Sequence, residues 1–302
     1  MGNSSTDRNR APSAQREKNA DAPTLFSDVL CAVDGHEESL EAVEQAASLT
    51  GSDGRVTLLT VTSYRSPGDR GAAIGPQRAK EILDRAVRIL DEAGVSYSVE
   101  VDPAAPPAEV ILEWMLGRDL LAIGAPSSSL LSGMFIKGVG ETALDAFTTP
   151  LLIARPSDPS DGFAQRILVA SDGLEGSDEL VEMAGRLARA KGADLTLFHA
   201  SDTAAKTHPH RIEMQFEKLQ SETDRVIDVR VEPGGAHTTI VESAAEIDAS
   251  LVVMGSRGRH GLRALGSVGR RVAHHGHCSV LLVPPVSRRS AADGRSPRPV
   301  AC

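Results

Sequence analysis

Short, wholly apolar runs alternate along the chain with stretches in which apolar residues recur three and four positions apart. The first pattern predicts buried strands and the second amphipathic helices. Leu30-Cys31-Ala32-Val33 runs into Asp34-Gly35, after which Leu40, Val43 and Ala47 fall on one helical face. Leu168-Val169-Ala170-Ser171 runs into Asp172-Gly173, and Leu180, Ala184 and Leu187 repeat that face. Gly51 and Gly192 stand where these helices need a left-handed residue to stop. Second strands follow at 56–61 and 195–200.

The two copies stay in step. A crossover helix is predicted from Pro76, a favoured first helical residue, to Ala93, and its counterpart at 211–221 is shorter. Third strands fall at 97–101 and 227–231, and further helices at 107–116 and 236–247. Leu120-Leu121-Ala122-Ile123-Gly124 matches Leu251-Val252-Val253-Met254-Gly255, and Leu151-Leu152-Ile153 matches Val280-Leu281-Leu282-Val283. Strands that alternate with helices and are apolar on both faces predict a parallel sheet covered by helices on each side. The spacing between equivalents falls along the chain, so the second copy is shorter by about seven residues mid-domain and two more near its end. The expected organisation is a polar tail at 1–23, a first domain at 24–156, a linker at 157–164, a second domain at 165–286 and a basic tail at 287–302.

Charge narrows the function. The chain carries 32 basic and 41 acidic side chains, and between the tails the balance is 24 to 37. So acidic a body disfavours nucleic acid and anionic membrane, whose binding needs clustered Lys and Arg. Aromatic residues make up 3% of the chain, too few for a stacking platform for single strands. The cysteines, Cys31, Cys278 and Cys302, form no CxxC pair, which suits a reducing, cytoplasmic setting. No apolar run reaches the roughly 18 residues of a membrane span. The opening residues are polar, against a secretory signal, and Gly2 with Thr6 fits only the loose myristoylation pattern.

The motif Ile167-Leu168-Val169-Ala170-Ser171-Asp172-Gly173, then Leu197-Phe198-His199-Ala200, then Val253-Met254-Gly255-Ser256-Arg257-Gly258 with Gly266-Ser267 beyond, resembles a universal stress protein domain. The resemblance covers 24–156 and 163–286, so the chain looks like a tandem member. It implies an α/β fold of two doubly wound, Rossmann-like domains akin to the adenine nucleotide alpha hydrolases. Each has a five-stranded parallel sheet with helices on both faces. It also implies ATP at the carboxyl ends of the strands, where open parallel sheets generally bind ligands.

The residues themselves point the same way. Glycines let Gly255-Ser256-Arg257-Gly258 turn backbone N–H groups toward phosphate. Gly266 and Ser267 open a helix whose free N–H groups suit an anion. Asp172 can accept a hydrogen bond from ribose or base, and the resemblance adds Ala170 and Ala200 as lining for adenosine. Arg259 to Leu265 supplies seven residues where the family pattern has nine, which removes up to about 7 Å of reach. A purely structural glycine loop is the competing reading. In the first half Gly124-Ala125-Pro126-Ser127 lacks the second glycine, Pro126 removes an N–H, and Lys137-Gly138 stands in place of Gly-Ser. That half reads as degenerate.

Other signals are declined. Gly138-Val139-Gly140-Glu141-Thr142-Ala143 imitates a dinucleotide fingerprint but follows no central strand. His274, His275, His277 and Cys278 straddle a helix end rather than converging as zinc ligands. His199 reads as a satisfied buried histidine. Nucleophile elbows, zinc-hydrolase motifs and Walker loops are missing, so no catalytic residue or metal site is assigned, and the expectation leans against an enzyme, with at most slow ATP hydrolysis. Two functions remain: a regulatory protein that holds ATP or a related nucleotide in its second domain and contacts an unidentified protein partner in stress response, or a nucleotide-independent scaffold with vestigial loops. The last strands sit at sheet edges and tend to pair, giving a pseudo-two-fold monomer or a homodimer.

Overall fold

The computed structural model describes residues 25–34, 36–62, 76–103, 107–125, 149–157, 162–201, 209–225, 227–256 and 266–284. The first half contributes β1 (Phe26–Ala32), α1 (Glu37–Leu49), β2 (Thr50–Val61), α2 (Pro76–Ala93), β3 (Ser96–Asp102), α3 (Pro107–Met115), β4 (Leu120–Gly124) and β5 (Leu151–Ala154). The second contributes β6 (Arg166–Ala170), a 3₁₀ turn (Glu175–Ser177), α4 (Asp178–Lys191), β7 (Asp194–Ser201), α5 (Pro209–Glu222), β8 (Ile227–Pro233), α6 (Ala236–Glu246), β9 (Leu251–Gly255), α7 (Ser267–His275) and β10 (Ser279–Val283). The terminal tails and residues 126–148 lie outside the described residues.

The ten strands form one sheet in the order β3-β2-β1-β4-β5-β10-β9-β6-β7-β8. Within each half all pairs are parallel, as the unbroken apolar runs predict, and the halves meet where β5 and β10 pair antiparallel. Leu152 faces Leu281 at the centre of that seam. These two are each other's equivalents in the repeat and both are fully buried, so a pseudo-two-fold axis passes between them. The strands expected at edges thus satisfy one another inside the chain.

Successive strand residues point to opposite faces and feed two cores. On one face Cys31 and Val169 pack with Leu40 and Val43 of α1, Ile82 and Leu90 of α2, Leu180 and Leu187 of α4, and Ile212 and Leu219 of α5. On the other, Leu30, Leu168 and Val252 pack with Val110 and Met115 of α3, Ile240 of α6 and Val272 of α7. Both cores run through the seam, so the halves share them.

Helix ends show where local chemistry departs from expectation. Gly192 is left-handed (φ 63°) and closes α4 as predicted, its N–H reaching the Ala188 and Arg189 carbonyls. Gly51 does no such work. α1 ends on Thr50, which is already extended, and both its N–H and its hydroxyl bond the Ala46 carbonyl. Thr50 thus ends the helix one residue before Gly51, and β2 starts at once. The β1–β2 register shifts between Phe26 and Asp28 to absorb the extra residues.

Lys191, last residue of α4, crosses to α1 and donates its ammonium to the Ser48 carbonyl. Burial pushes its pKa down to about 8. The unfolded chain therefore holds this proton more tightly than the folded one, and the site's contribution to stability rises from about pH 8 toward pH 10.5. Chemical denaturation of the parent and of Lys191→Met should converge at alkaline pH, the variant's relative advantage being largest below pH 8. A pH-independent difference contradicts the assignment.

Candidate functional site

In the second half the strand order reverses at β6, with β7 on one side and β9 on the other. At such a reversal open parallel sheets bind ligands in a crevice at the carboxyl ends of the strands, here marked by Ala170 and Gly255. Ala170 lies between Phe198 and Met254 in register, and Ala200 stands one pleat further along β7. Both alanines are half-buried.

The turn after β6 is tightly held. The Ser171 N–H donates to the Phe198 carbonyl, and the Ser171 hydroxyl donates to Gln215 Oε1 at 2.6 Å while accepting from the Gly173 N–H. Gly173 has φ 70°, and a Cβ there would stand 3.3 Å from Ile212. Asp172 is exposed, and its Oδ1 accepts from the Leu174 N–H at 3.0 Å and the Ser177 hydroxyl at 2.8 Å. The carboxylate is fixed by one oxygen. Behind it Gln215 and Arg211 of α5 bond Asp178, tying down the start of α4. His199, 8% exposed, sets Nδ1 at 2.9 Å from the Ser171 carbonyl. A carbonyl only accepts, so Nδ1 carries the proton. This is the satisfied buried histidine expected.

At the end of β9 the Ser256 N–H donates to the Val283 carbonyl, and the Ser256 carbonyl accepts from the Gly266 N–H at 2.7 Å. Ser256 and Gly266, the described residues on either side of 257–265, are thus joined by one hydrogen bond, and residues 257–265 with their two-residue shortening lie outside the described residues. Gly266 caps α7 with extended backbone and no side-chain hydrogen bond, so among the described residues no side chain caps the first-turn N–H groups. Ser267 is exposed at that end. Ser256 is 2% exposed, and its hydroxyl is the one buried side-chain polar atom without a partner among the described residues. Leaving such a group unpaired costs about 1–3 kcal/mol, a cost that an incoming acceptor or donor removes.

Ala170, Asp172, Ala200, Gly255, Gly266 and Ser267 therefore share one end of the sheet, while Arg257 and Gly258 lie outside the described residues. Sequence reading missed Ser177 and the orphaned hydroxyl of Ser256. The first had a signal. From the Asp-Gly turn to the glycine after the helical pattern, Gly51 or Gly192, the second half is three residues longer than the first, and the 3₁₀ turn takes up that length.

The same place in the first half is built differently. His36 engages both oxygens of Asp34, its N–H on Oδ1 at 3.1 Å and its ring Nδ1 3.1 Å from Oδ2. Gly124 runs against the start of α1 so closely that a Cβ would lie 2.4 Å from the Glu38 carbonyl. There the helix start occupies the switch point. Ser127, Lys137 and Gly138 are outside the described residues.

Elsewhere chemistry is quiet. Cys31 is buried and its thiol pKa is pushed far up, and Cys278 is pushed up to about 11, both by burial. Neither is a nucleophile at neutral pH. Among the described residues no cluster of three metal-ligating side chains occurs and no helix is long and apolar enough to cross a membrane.

The family model described as "Universal stress protein family" matches residues 26–155 and again 164–284. Universal stress protein Rv2624c of Mycobacterium tuberculosis (strain ATCC 25618 / H37Rv) is 23% identical over 249 residues, covering 80% of this chain and 88% of that one. A solved universal stress protein from Archaeoglobus fulgidus DSM 4304 superposes with a TM-score of 0.69 at 23% identity, over 85% of this chain and 98% of that one. A putative universal stress protein from Pseudomonas aeruginosa UCBPP-PA14 gives 0.62 at 20% identity, over 86% and 94%. Two matched halves, joined through their last strands into one sheet, leave a single conclusion: the chain belongs to the universal stress protein family, as a tandem member with two such domains.

Proposed function

We propose that the second half binds ATP or a related adenine nucleotide, one per chain, and that the bound nucleotide regulates contacts with a protein partner in stress response. The observation that carries this reading is the buried, unpartnered hydroxyl of Ser256 beside the uncapped start of α7. A phosphate oxygen supplies what both lack, an acceptor for a hydroxyl and for helix N–H groups. In this reading Gly255, Arg257, Gly258, Gly266 and Ser267 hold the phosphates. Ala170 and Ala200 leave space for the nucleoside, and the free oxygen of Asp172 takes a ribose hydroxyl. The stress role follows from family membership, and the cytoplasm is the setting that suits unpaired cysteines. The first half does not bind nucleotide, because His36 uses the Asp34 carboxylate and α1 fills the space at Gly124.

Protein purified without added nucleotide, treated with acid and resolved by chromatography, should release an adenine nucleotide. Added ATP should also raise the melting temperature of nucleotide-stripped protein. No released nucleotide and no melting shift would favour the scaffold reading instead.

A further inference from the structure

The first half supplies one more group to α7 of the second, at the helix end away from the crevice. Arg155 directly follows β5 and is half-buried at the seam. Its Nη2 donates to the Ala273 carbonyl at 2.6 Å and its Nη1 to the Cys278 carbonyl at 3.4 Å, so the guanidinium spans the last turn of α7 and the start of β10. Its backbone is locked too. The N–H donates to the Ser279 hydroxyl at 3.0 Å, and the carbonyl accepts from Gln45 Nε2 at 2.7 Å. Ser279 in turn donates to Gln45 Oε1 at 2.8 Å. The Ser279 hydroxyl also lies 3.3 Å from the Arg155 carbonyl, so Ser279 and the β5–β10 pairing hold the Arg155 backbone beside α7 without Gln45, which braces it from α1.

A cation on the terminal carbonyls of a helix satisfies orphaned acceptors and complements the helix dipole. α7 has only nine residues, about 13 Å of rigid rod, so a tilt at its last turn moves its first turn as well. The first turn is the uncapped end beside Ser256. The arrangement is one-sided. The repeat equivalent of Arg155 is Pro284, which has neither a cation nor a backbone N–H to offer the first half.

We propose that Arg155 is a positioning residue for the anion site of the second half: it reaches across the seam, clamps the last turn of α7 and so holds the helix's free N–H end at the crevice. The nucleotide-free first half is thereby the brace of the half that binds. This rests on the nucleotide reading above, but the clamp itself can be measured without ligand.

The test compares Arg155→Met with Gln45→Met, which removes the brace from α1 without touching α7, in the full chain. In ligand-free protein Arg155→Met should speed amide exchange at both Arg270 and Gly276, the two ends of α7, by about tenfold, and Gln45→Met should leave both near parent rates. With ATP as probe, Arg155→Met should weaken binding by about tenfold or more, since small displacements of a binding shell are costly. Arg155→Lys should restore affinity to within about threefold, because an ammonium still reaches one carbonyl. Gln45→Met should lower the melting temperature while keeping affinity within about threefold. Equal effects of the two methionine variants, or unchanged exchange at α7 in Arg155→Met, would overturn the proposal. If the parent binds no ATP, the nucleotide reading falls and exchange alone decides the clamp.

Discussion

Replacing Gly258 by glutamate should weaken ATP binding roughly a hundredfold or more, equivalent to several kcal/mol. The substitution places a carboxylate and a Cβ in the segment that leaves Ser256 and returns at Gly266, three residues from the end of β9. Two effects add there. Like charge would repel the phosphates of the proposed nucleotide, and a side chain would remove the backbone freedom that glycine gives position 258. Ser127→Glu, at the corresponding position of the first half, should leave affinity within about threefold, since the halves' crevices are separate sites. Calorimetry on both variants reads the contrast. Loss of binding from Ser127→Glu alone would reassign the site to the other half.

Gly124→Ala should be the most damaging small substitution in the first half, costing about 3 kcal/mol, the upper range for forcing atoms into a packed interior. Its Cβ would meet the Glu38 carbonyl carbon and oxygen at 2.4 Å and the Ser39 nitrogen at 2.6 Å. These are backbone atoms, with no flexible side chain to move aside. Either α1 lifts from the sheet, exposing Leu40 and Val43, or the end of β4 bends away from β1 and β5. Denaturant unfolding should show the loss, while ATP affinity of the second half stays within about threefold. A variant as stable as the parent would mean that the glycine holds no close contact, and would remove one reason for calling that crevice filled.

The strands and their partners were legible because the signal is strong where both faces are buried. Leu120–Gly124 and Leu251–Gly255 begin and end where the apolar runs do. The seam was legible too, since the repeat places Leu152 and Leu281 at matching positions of edge strands. Asp172 stood out by ending a strand beside a glycine. What escaped depends on distant partners or on single hydroxyls. Thr50 overrides Gly51 because its side chain bonds back to Ala46, a choice that composition does not reveal. Gln45 is a polar residue on a buried helical face, and only the fold brings Arg155 and Ser279 to it across 110 and 234 residues of sequence. Ser256 looks like any serine in a glycine loop until its surroundings show it buried and unpaired. The narrowing at Gly124 is invisible in its apolar run, because it is set by where α1 begins.

Titration of nucleotide-stripped, full-length protein with ATP in a calorimeter tests the central claim most directly. The asymmetry between Asp172 with Ser256 and Asp34 with Gly124 predicts one saturable site per chain, weakened roughly a hundredfold or more by Gly258→Glu. Two equivalent sites, or no heat of binding at all, would contradict it.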